Sequence, residues 1–156
     1  MSVKISGTSV KIEGTPELIR KLKKFGEDGK KMASDVAQAS ALDMQSKAEA
    51  SIRRYPQTIQ EFAGPVVVSP NVEGKEVYEV SMVNVPYAAY AEFGTGAFVD
   101  VEPGWEDVAM EFYVNGRGTL PPYPYFIPAF NDIKSKFIPN LDKGLKHLAK
   151  KFNGST

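Results

Sequence analysis

The sequence predicts an α+β fold in a single domain, residues 1–156, in which a long N-terminal helical region and a C-terminal helix pack on an antiparallel sheet of about four strands. Two patterns and the composition support this class. Residues 15–55 and 127–152 place apolar side chains at helical spacing, whereas residues 64–120 hold short runs rich in β-branched and aromatic residues. The 156 residues, 42% of them hydrophobic, are enough to bury one core without cross-links, and no stretch has the composition of an interdomain linker.

Residues 1–14 predict an N-terminal strand or a small hairpin. In "VKISGTSVKIE" apolar and polar residues alternate at period two on both sides of a Gly-Thr-Ser break. This alternation is typical of a strand with one buried face.

Two helices are predicted in residues 15–55. Thr15 is a capping residue, and the Pro-Glu pair that follows it suits a first helical turn, so the first helix begins here and ends or bends at Gly26. The second helix runs from about Asp28 to Arg54, and its apolar stripe is mostly alanine: Ala37, Ala41, Met44, Ala48 and Ile52. Because small side chains permit close backbone approach, we expect this helix to lie flat against a sheet or another helix.

Residues 64–120 predict the strands and their loops. "PVVVSP" and "KEVYEVSMV" predict two strands joined by a turn at residues 71–74. The Asn115-Gly116 pair in "MEFYVNGRGTL" predicts a hairpin that adds one or two more. Between them, "VPYAAYAEFGTGAF" at residues 85–98 is interpreted as a turn whose glycines permit tight backbone geometry.

A C-terminal helix is predicted over residues 127–152, and Pro128 suits its first turn. Its apolar positions recur at helical spacing: Ile133, Phe137, Leu141, Leu145, Leu148 and Phe152. Pro139 has no backbone donor, so it should kink or split the helix near Ile138. The last residues, "NGST", should be disordered.

Composition disfavours several classes of chemistry. Nineteen Lys and Arg balance nineteen Asp and Glu, so the chain lacks the basic excess typical of nucleic-acid-binding proteins. It has no cysteine, and its one histidine, His147, lies among lysines on the last helix. The acidic residues at 100–107 match no calcium-loop spacing, and "FGTGA" lacks the Gly-Lys-Ser continuation of a phosphate loop.

We therefore predict no catalytic residues, no metal, no cofactor and no enzymatic activity. With no run of roughly 18 apolar residues, we also predict a soluble intracellular product with no membrane partner.

Aromatic residues are concentrated between residues 85 and 130, several of them on backbone predicted to be irregular. Tyrosine and tryptophan in such places are typical of protein interfaces. Packing in the chain's own core and a ligand pocket stay open as alternatives. The candidate interface residues are Tyr87, Tyr90, Glu92, Phe93, Gly94, Thr95, Trp105, Tyr123 and Tyr125.

Two segments carry a resemblance to a known family. The first is a Tyr-x-x-Tyr-x-Glu-Phe-Gly-Thr box, matched by Tyr87, Tyr90, Glu92, Phe93, Gly94 and Thr95. The second is the proline and aromatic segment Pro124–Phe130, which precedes the closing helix. With this order of elements, the chain resembles the tail-completion, or head-tail joining, proteins of long-tailed bacteriophages and prophages. It departs from them in "YPQTIQEFAG", which keeps Pro56 and Thr58 without the glycine and leucine of a common Asp-Thr-Gly-x-Leu segment, and in residues 100–118.

The resemblance implies a structural role in the virion. Copies would form a ring, expected to be a hexamer, at the neck where the tail tube meets the connector, after assembly in the host cytoplasm. The partners implied are further copies of this chain and the tail-tube and connector proteins, with DNA passing through the lumen as cargo. A ring closes through heterologous contacts, in which one surface meets a different surface of the next copy.

Two other function classes stay open. The alternative is a small nucleic-acid-binding module that uses the lysines of the N-terminal helices: Lys21, Lys23, Lys24, Lys30 and Lys31. An enzyme would use Glu92 and a tyrosine as acid and base.

Overall fold

The computed structural model describes residues 3–6, 9–12, 26–70, 77–84, 87–96, 99, 101, 103–111 and 118–153. Their elements in chain order are β1 (Val3–Ser6), β2 (Ser9–Ile12), α1 (Glu27–Ile52), α2 (Gln57–Ala63), β3 (Val66–Pro70), β4 (Tyr78–Met82), α3 (Tyr87–Phe93), α4 (Glu106–Glu111) and α5 (Phe126–Asn153). Four predicted features lie outside the described residues: the helix that begins at Thr15, the turn at 71–74, the Asn115-Gly116 hairpin and the tail at 154–156.

The long helices α1 and α5 run antiparallel and form the main layer of the core. Lys47 on α1 pairs with Asp132 near the start of α5, and Asp28 at the start of α1 lies 3.7 Å from Lys151 near the end of α5. The whole alanine-rich stripe of α1 is buried. Larger buried side chains come from α5: Phe126, Phe130, Ile133, Phe137 and Leu141. The small residues of one helix thus let the bulky residues of the other pack closely against it.

Strands β3 and β4 form an antiparallel hairpin that lies on α1. Val66 pairs with Met82 and Val68 with Val80, and Gln45 of α1 donates a hydrogen bond to the carbonyl oxygen of Val66 at 2.7 Å. The backbone of β2 pairs with β4 and that of β1 with β2, which gives the strand order β1-β2-β4-β3.

The predicted sheet is wrong in where its strands lie. The sequence predicts most of the strands in residues 64–120, but the described residues of that region form only the two-stranded hairpin of β3 and β4, together with helices α3 and α4. The described part of the chain is mostly helical. The α+β class therefore holds only as the broad statement that helices and strands are both present. Alanine in α3 and the paired carboxylates Glu106 and Asp107 at the start of α4 favour a helix over a strand.

Within the segment interpreted as a turn, residues Tyr87–Phe93 form helix α3. The backbone N–H of Ala88 donates to the carbonyl of Asn84 at 2.8 Å where α3 begins. Gly94, with a φ of 77°, follows the last residue, and its N–H donates to the carbonyl of Tyr90 at 2.9 Å. The glycine therefore ends a helix, a position that favours a residue without a side chain.

Helix α5 continues through Pro139, so of the two predicted outcomes, a kink or a split, the split does not occur. Pro139 is exposed, whereas Phe137 and Leu141 on either side of it are buried. Packing of these side chains holds the helix together across the missing hydrogen bond.

Candidate functional site

The first segment that carries the resemblance is hydrogen-bonded to the residues that lead into the second. The backbone N–H of Tyr123 donates to the carbonyl of Ala91 at 2.8 Å. Thr95 and Leu120 are joined twice: the N–H of Thr95 donates to the carbonyl of Leu120 at 2.9 Å, and the N–H of Leu120 donates to the Oγ1 of Thr95 at 3.0 Å. Helix α3 and the chain leading into α5 are therefore one structural unit, which we call the two-box junction (residues 87–96 and 118–127).

Glu92 is the centre of this junction. Its side chain is only 2% exposed, and its carboxylate accepts three backbone hydrogen bonds, from Tyr125 at 2.8 Å and from Phe126 and Ile127 at 2.9 Å each. The first N–H groups of a helix have no partner within the helix and carry partial positive charge. Glu92 thus caps the start of α5 from about 33 residues away, a task that a local Ser, Thr or Asp usually performs.

Two tyrosines lie near enough to the Glu92 carboxylate to feel its charge. Tyr125 is fully buried, and its hydroxyl lies 3.5 Å from the carbonyl oxygen of Ala63. Burial, and secondly the charge of Glu92, raise the pKa of Tyr125 above its usual range. Burial and Glu92 also raise the pKa of Tyr55, against a smaller opposing effect of Arg54, and the Tyr55 hydroxyl donates to the carbonyl of Pro124 at 3.1 Å. Both phenols therefore keep their protons at neutral pH, and Glu92 is engaged by backbone donors.

Gly118 permits the close approach at the far end of the junction. Its φ is 123°, and a Cβ at this position would lie 2.4 Å from the Oγ1 of Thr95. A side chain here would displace the hydroxyl that bonds Leu120.

Several candidate interface residues lie in the chain's own core, which favours for them the core packing that the sequence left open as an alternative. Phe93 is 3% exposed and Trp105 is 8% exposed, and the indole of Trp105 packs edge-on against Phe130 with ring centroids 5.7 Å apart. Tyr125 is buried as described above, Gly94 is also buried, and Thr95 and Tyr123 are half-buried. The aromatic rings of Phe93, Trp105 and Tyr125 therefore belong to the hydrophobic core of this chain.

The exposed aromatic surface lies on α2 and α3. Tyr87 is 51% exposed and Phe62 is 42% exposed, and their rings stack with centroids 6.0 Å apart. The half-buried Tyr90 meets Tyr87 edge-on at 6.4 Å. We call Phe62, Tyr87 and Tyr90 the aromatic ridge. Sequence reasoning missed Phe62 because it did not predict α2, although Ile59, Phe62 and Ala63 have the i, i+3, i+4 spacing of a helix face.

The described part of the chain offers little support for a nucleic-acid, metal or membrane site. Of the lysines proposed for nucleic-acid binding, Lys30 pairs with Glu27 at 3.1 Å and Lys31 is exposed, while the other three lie outside the described residues. No group of three or more His, Cys, Asp and Glu side chains suited to a metal ion occurs among the residues that the structure describes. Within the same residues, no helix has the length and apolar character needed to cross a membrane.

Comparison with known proteins adds no relative. No protein-family model matches the chain, and neither a curated protein nor a solved structure matches it.

Proposed function

We propose that this chain is a structural protein of a long-tailed bacteriophage or prophage, a ring-forming tail-completion or head-tail joining component that acts at the virion neck through protein–protein assembly and not through catalysis. Its partners in this proposal are further copies of itself, expected to be six in a ring, and the tail-tube and connector proteins. DNA passes through the ring as cargo.

The two-box junction is the observation that carries the proposal. The two sequence segments on which the resemblance rests are about 30 residues apart, yet the glutamate of the first caps the helix opened by the second. Their matching residues therefore serve one physical purpose, which supports reading them together as one motif. The aromatic ridge, whose Tyr87 and Tyr90 lie on the same helix as Glu92, supplies exposed side chains of the kind that anchor protein interfaces.

Assembly tests the proposal directly. We expect native mass spectrometry to find ring-sized oligomers of the purified chain, either alone or mixed with the tail-tube and connector proteins of its own phage. Tyr87→Ser should weaken this assembly without unfolding the chain, because Tyr87 is exposed. Met110→Ser is the matched control, since Met110 on α4 is 66% exposed and lies outside the aromatic ridge.

A chain that stays monomeric alone and with each partner would contradict the proposal. Binding of duplex DNA by the monomer, with an affinity that falls steeply with salt, would instead favour the nucleic-acid-binding module.

A further inference from the structure

The chain leaves the two-box junction at Thr95 and returns to it at Leu120. The two hydrogen bonds between these residues, at 2.9 and 3.0 Å, hold the departing and the returning chain together. When the two ends of an excursion are joined in this way, its middle can move without pulling on the elements that flank it. The fold therefore permits a movement here that leaves α3 and α5 in place.

Residues 103–111, which include α4, belong to this excursion and pack on α5; we call them the strap. Trp105 is 8% exposed and Ala109 is 3% exposed, and the Trp105 indole lies edge-on against the ring of Phe130. The other strap side chains that the structure describes are exposed: Pro103, Glu106, Asp107 and Met110. Among the described strap residues, Trp105 is thus the only large side chain that is buried.

The hydrogen bonds described for the strap lie within it. The N–H of Gly104 donates to the Oε2 of Glu106 at 2.7 Å, and the N–H of Ala109 donates to the carbonyl of Trp105 at 3.0 Å. These bonds do not depend on contact with α5. Separation of the strap from α5 therefore costs mainly the burial of the indole and of the Ala109 methyl group.

A cavity of about 340 Å³ separates part of this excursion from the two-box junction. Val101 and Pro103 line it on one side, and Phe93, Pro122 and Ile127 line it on the other. Protein interiors are close-packed, so the contact between the two sides is incomplete here. Atoms that line a void lack partners on one side, which weakens the attraction that holds the strap in place.

We propose that the strap undocks from α5 as a unit while the rest of the chain stays folded, and that Trp105 is the side chain that holds it in place. Undocking uncovers the ring of Phe130 and opens the cavity toward Phe93 and Ile127. It thereby presents an apolar surface that the closed form hides from water. Local opening of this kind is typical of segments with few buried side chains. The inference does not depend on the proposed function.

Thiol labelling measures the undocking, because the natural chain has no cysteine. Ala109→Cys places a buried thiol on the strap, and Ala41→Cys, at a position 0% exposed on α1, is the matched control. Both variants are reacted with Ellman's reagent at urea concentrations below the unfolding transition. We expect Ala109→Cys to react about a hundredfold faster or more, at a rate that hardly changes with urea. The reaction of Ala41→Cys should instead accelerate with the full urea dependence of global unfolding.

A second substitution tests the role of the indole. Trp105→Phe, added to Ala109→Cys, should raise the labelling rate by the same factor as it raises the equilibrium constant for unfolding, about tenfold, because the indole contact is lost in both processes. Met110→Ala in the same background is the control. Met110 is exposed on the strap, so its removal should leave the labelling rate unchanged.

Two results would overturn the inference. The same urea dependence for Ala109→Cys and Ala41→Cys would mean that the strap opens only with the whole fold. A labelling rate that Trp105→Phe does not change would mean that the indole stays docked. Should Ala109→Cys fail to fold, hydrogen exchange of the Trp105 indole N–H in the natural chain decides. Exchange nearly independent of urea supports undocking, and exchange with the full urea dependence of global unfolding overturns it.

Discussion

The sharpest prediction concerns the buried carboxylate of Glu92. In Glu92→Gln the side chain keeps its shape but loses its charge and one acceptor oxygen. The glutamine oxygen can still accept from Tyr125 and Phe126, which share one oxygen of Glu92, but the amide NH₂ then faces the N–H of Ile127. Two donors meet in a site that is closed to water.

The expected cost follows from two contributions. One buried N–H without an acceptor costs about 1–3 kcal/mol, and loss of a partly buried negative charge at a helix N-terminus costs about 1–2 kcal/mol. We therefore expect Glu92→Gln to lower the free energy of unfolding by about 3 kcal/mol. For a chain of this length that corresponds to a fall in Tm of about 6–12 °C.

Urea unfolding followed by circular dichroism measures this change, and the fluorescence of Trp105, the chain's single tryptophan, follows the packing against α5 in the same samples. Glu27→Gln is the matched control, because Glu27 is also in the first turn of a long helix but its side chain is 87% exposed. That control should lose less than about 1 kcal/mol. If Glu92→Gln and Glu27→Gln unfold at the same urea concentration, the capping role assigned to Glu92 is wrong.

Three further predictions follow from the same structure. Gly118→Ala should destabilise the fold by about 2 kcal/mol in thermal unfolding, because the position combines a positive φ with a close contact to Thr95. Hydrogen bonds from Lys136 and Lys47 hold the pKa of Asp132 below its usual value of 3.8. The stabilisation is therefore present above that pH and is lost as the pH falls below it, so Asp132→Asn should be less stable than the natural chain at neutral pH and equally stable in acid. Because the pKa of Tyr125 is raised from its usual value of 10.0, stability should fall as the pH rises above that value, and less so in Tyr125→Phe.

Each of these predictions has a clear contrary result. An unchanged Tm in Gly118→Ala would mean that the loop relaxes around the new methyl group. Gly26→Ala is the comparison, because Gly26 also has a positive φ but a Cβ there would have nothing within 4 Å. A stability difference between Asp132→Asn and the natural chain that persists in acid would show that the ion pairs are not its cause. Parallel stability curves for Tyr125→Phe and the natural chain in alkali would place the titrating group elsewhere.

Periodic patterns in the sequence predicted the long elements well. The apolar stripe of α1 follows from spacing alone, and every residue of that stripe is buried. The helix was predicted from about Asp28 to Arg54 and is observed over Glu27–Ile52. The C-terminal helix was likewise predicted over 127–152 and observed over Phe126–Asn153. A long helix repeats its apolar spacing several times, so the prediction does not depend on any single residue.

Short helices were harder to predict, because six or seven residues contain no more than two turns of the apolar pattern. The box at 87–96 contains two glycines that suggest a turn, but its alanines are buried against the core and form α3. Segment 106–111 is helical for a similar reason, while Pro139 stays within a helix that packing holds on both sides. Local signals of this size are outweighed by tertiary contacts.

The candidate site, too, has some features that the sequence predicts and others that it does not. The sequence alone singled out Tyr87, Tyr90 and Glu92, and it placed aromatic residues in a region with little charge. It could not decide which of them are buried, because burial of Trp105 and Tyr125 depends on where α5 lies. Nor could it pair Glu92 with Tyr125, since a contact across 33 residues leaves no periodic trace. Composition and periodicity thus determined the helical framework, the absence of cysteine and the balance of charge. Only the tertiary structure decided that one carboxylate caps a distant helix and that Phe62 and Tyr87 remain at the surface, because both facts arise from the meeting of segments far apart in the chain.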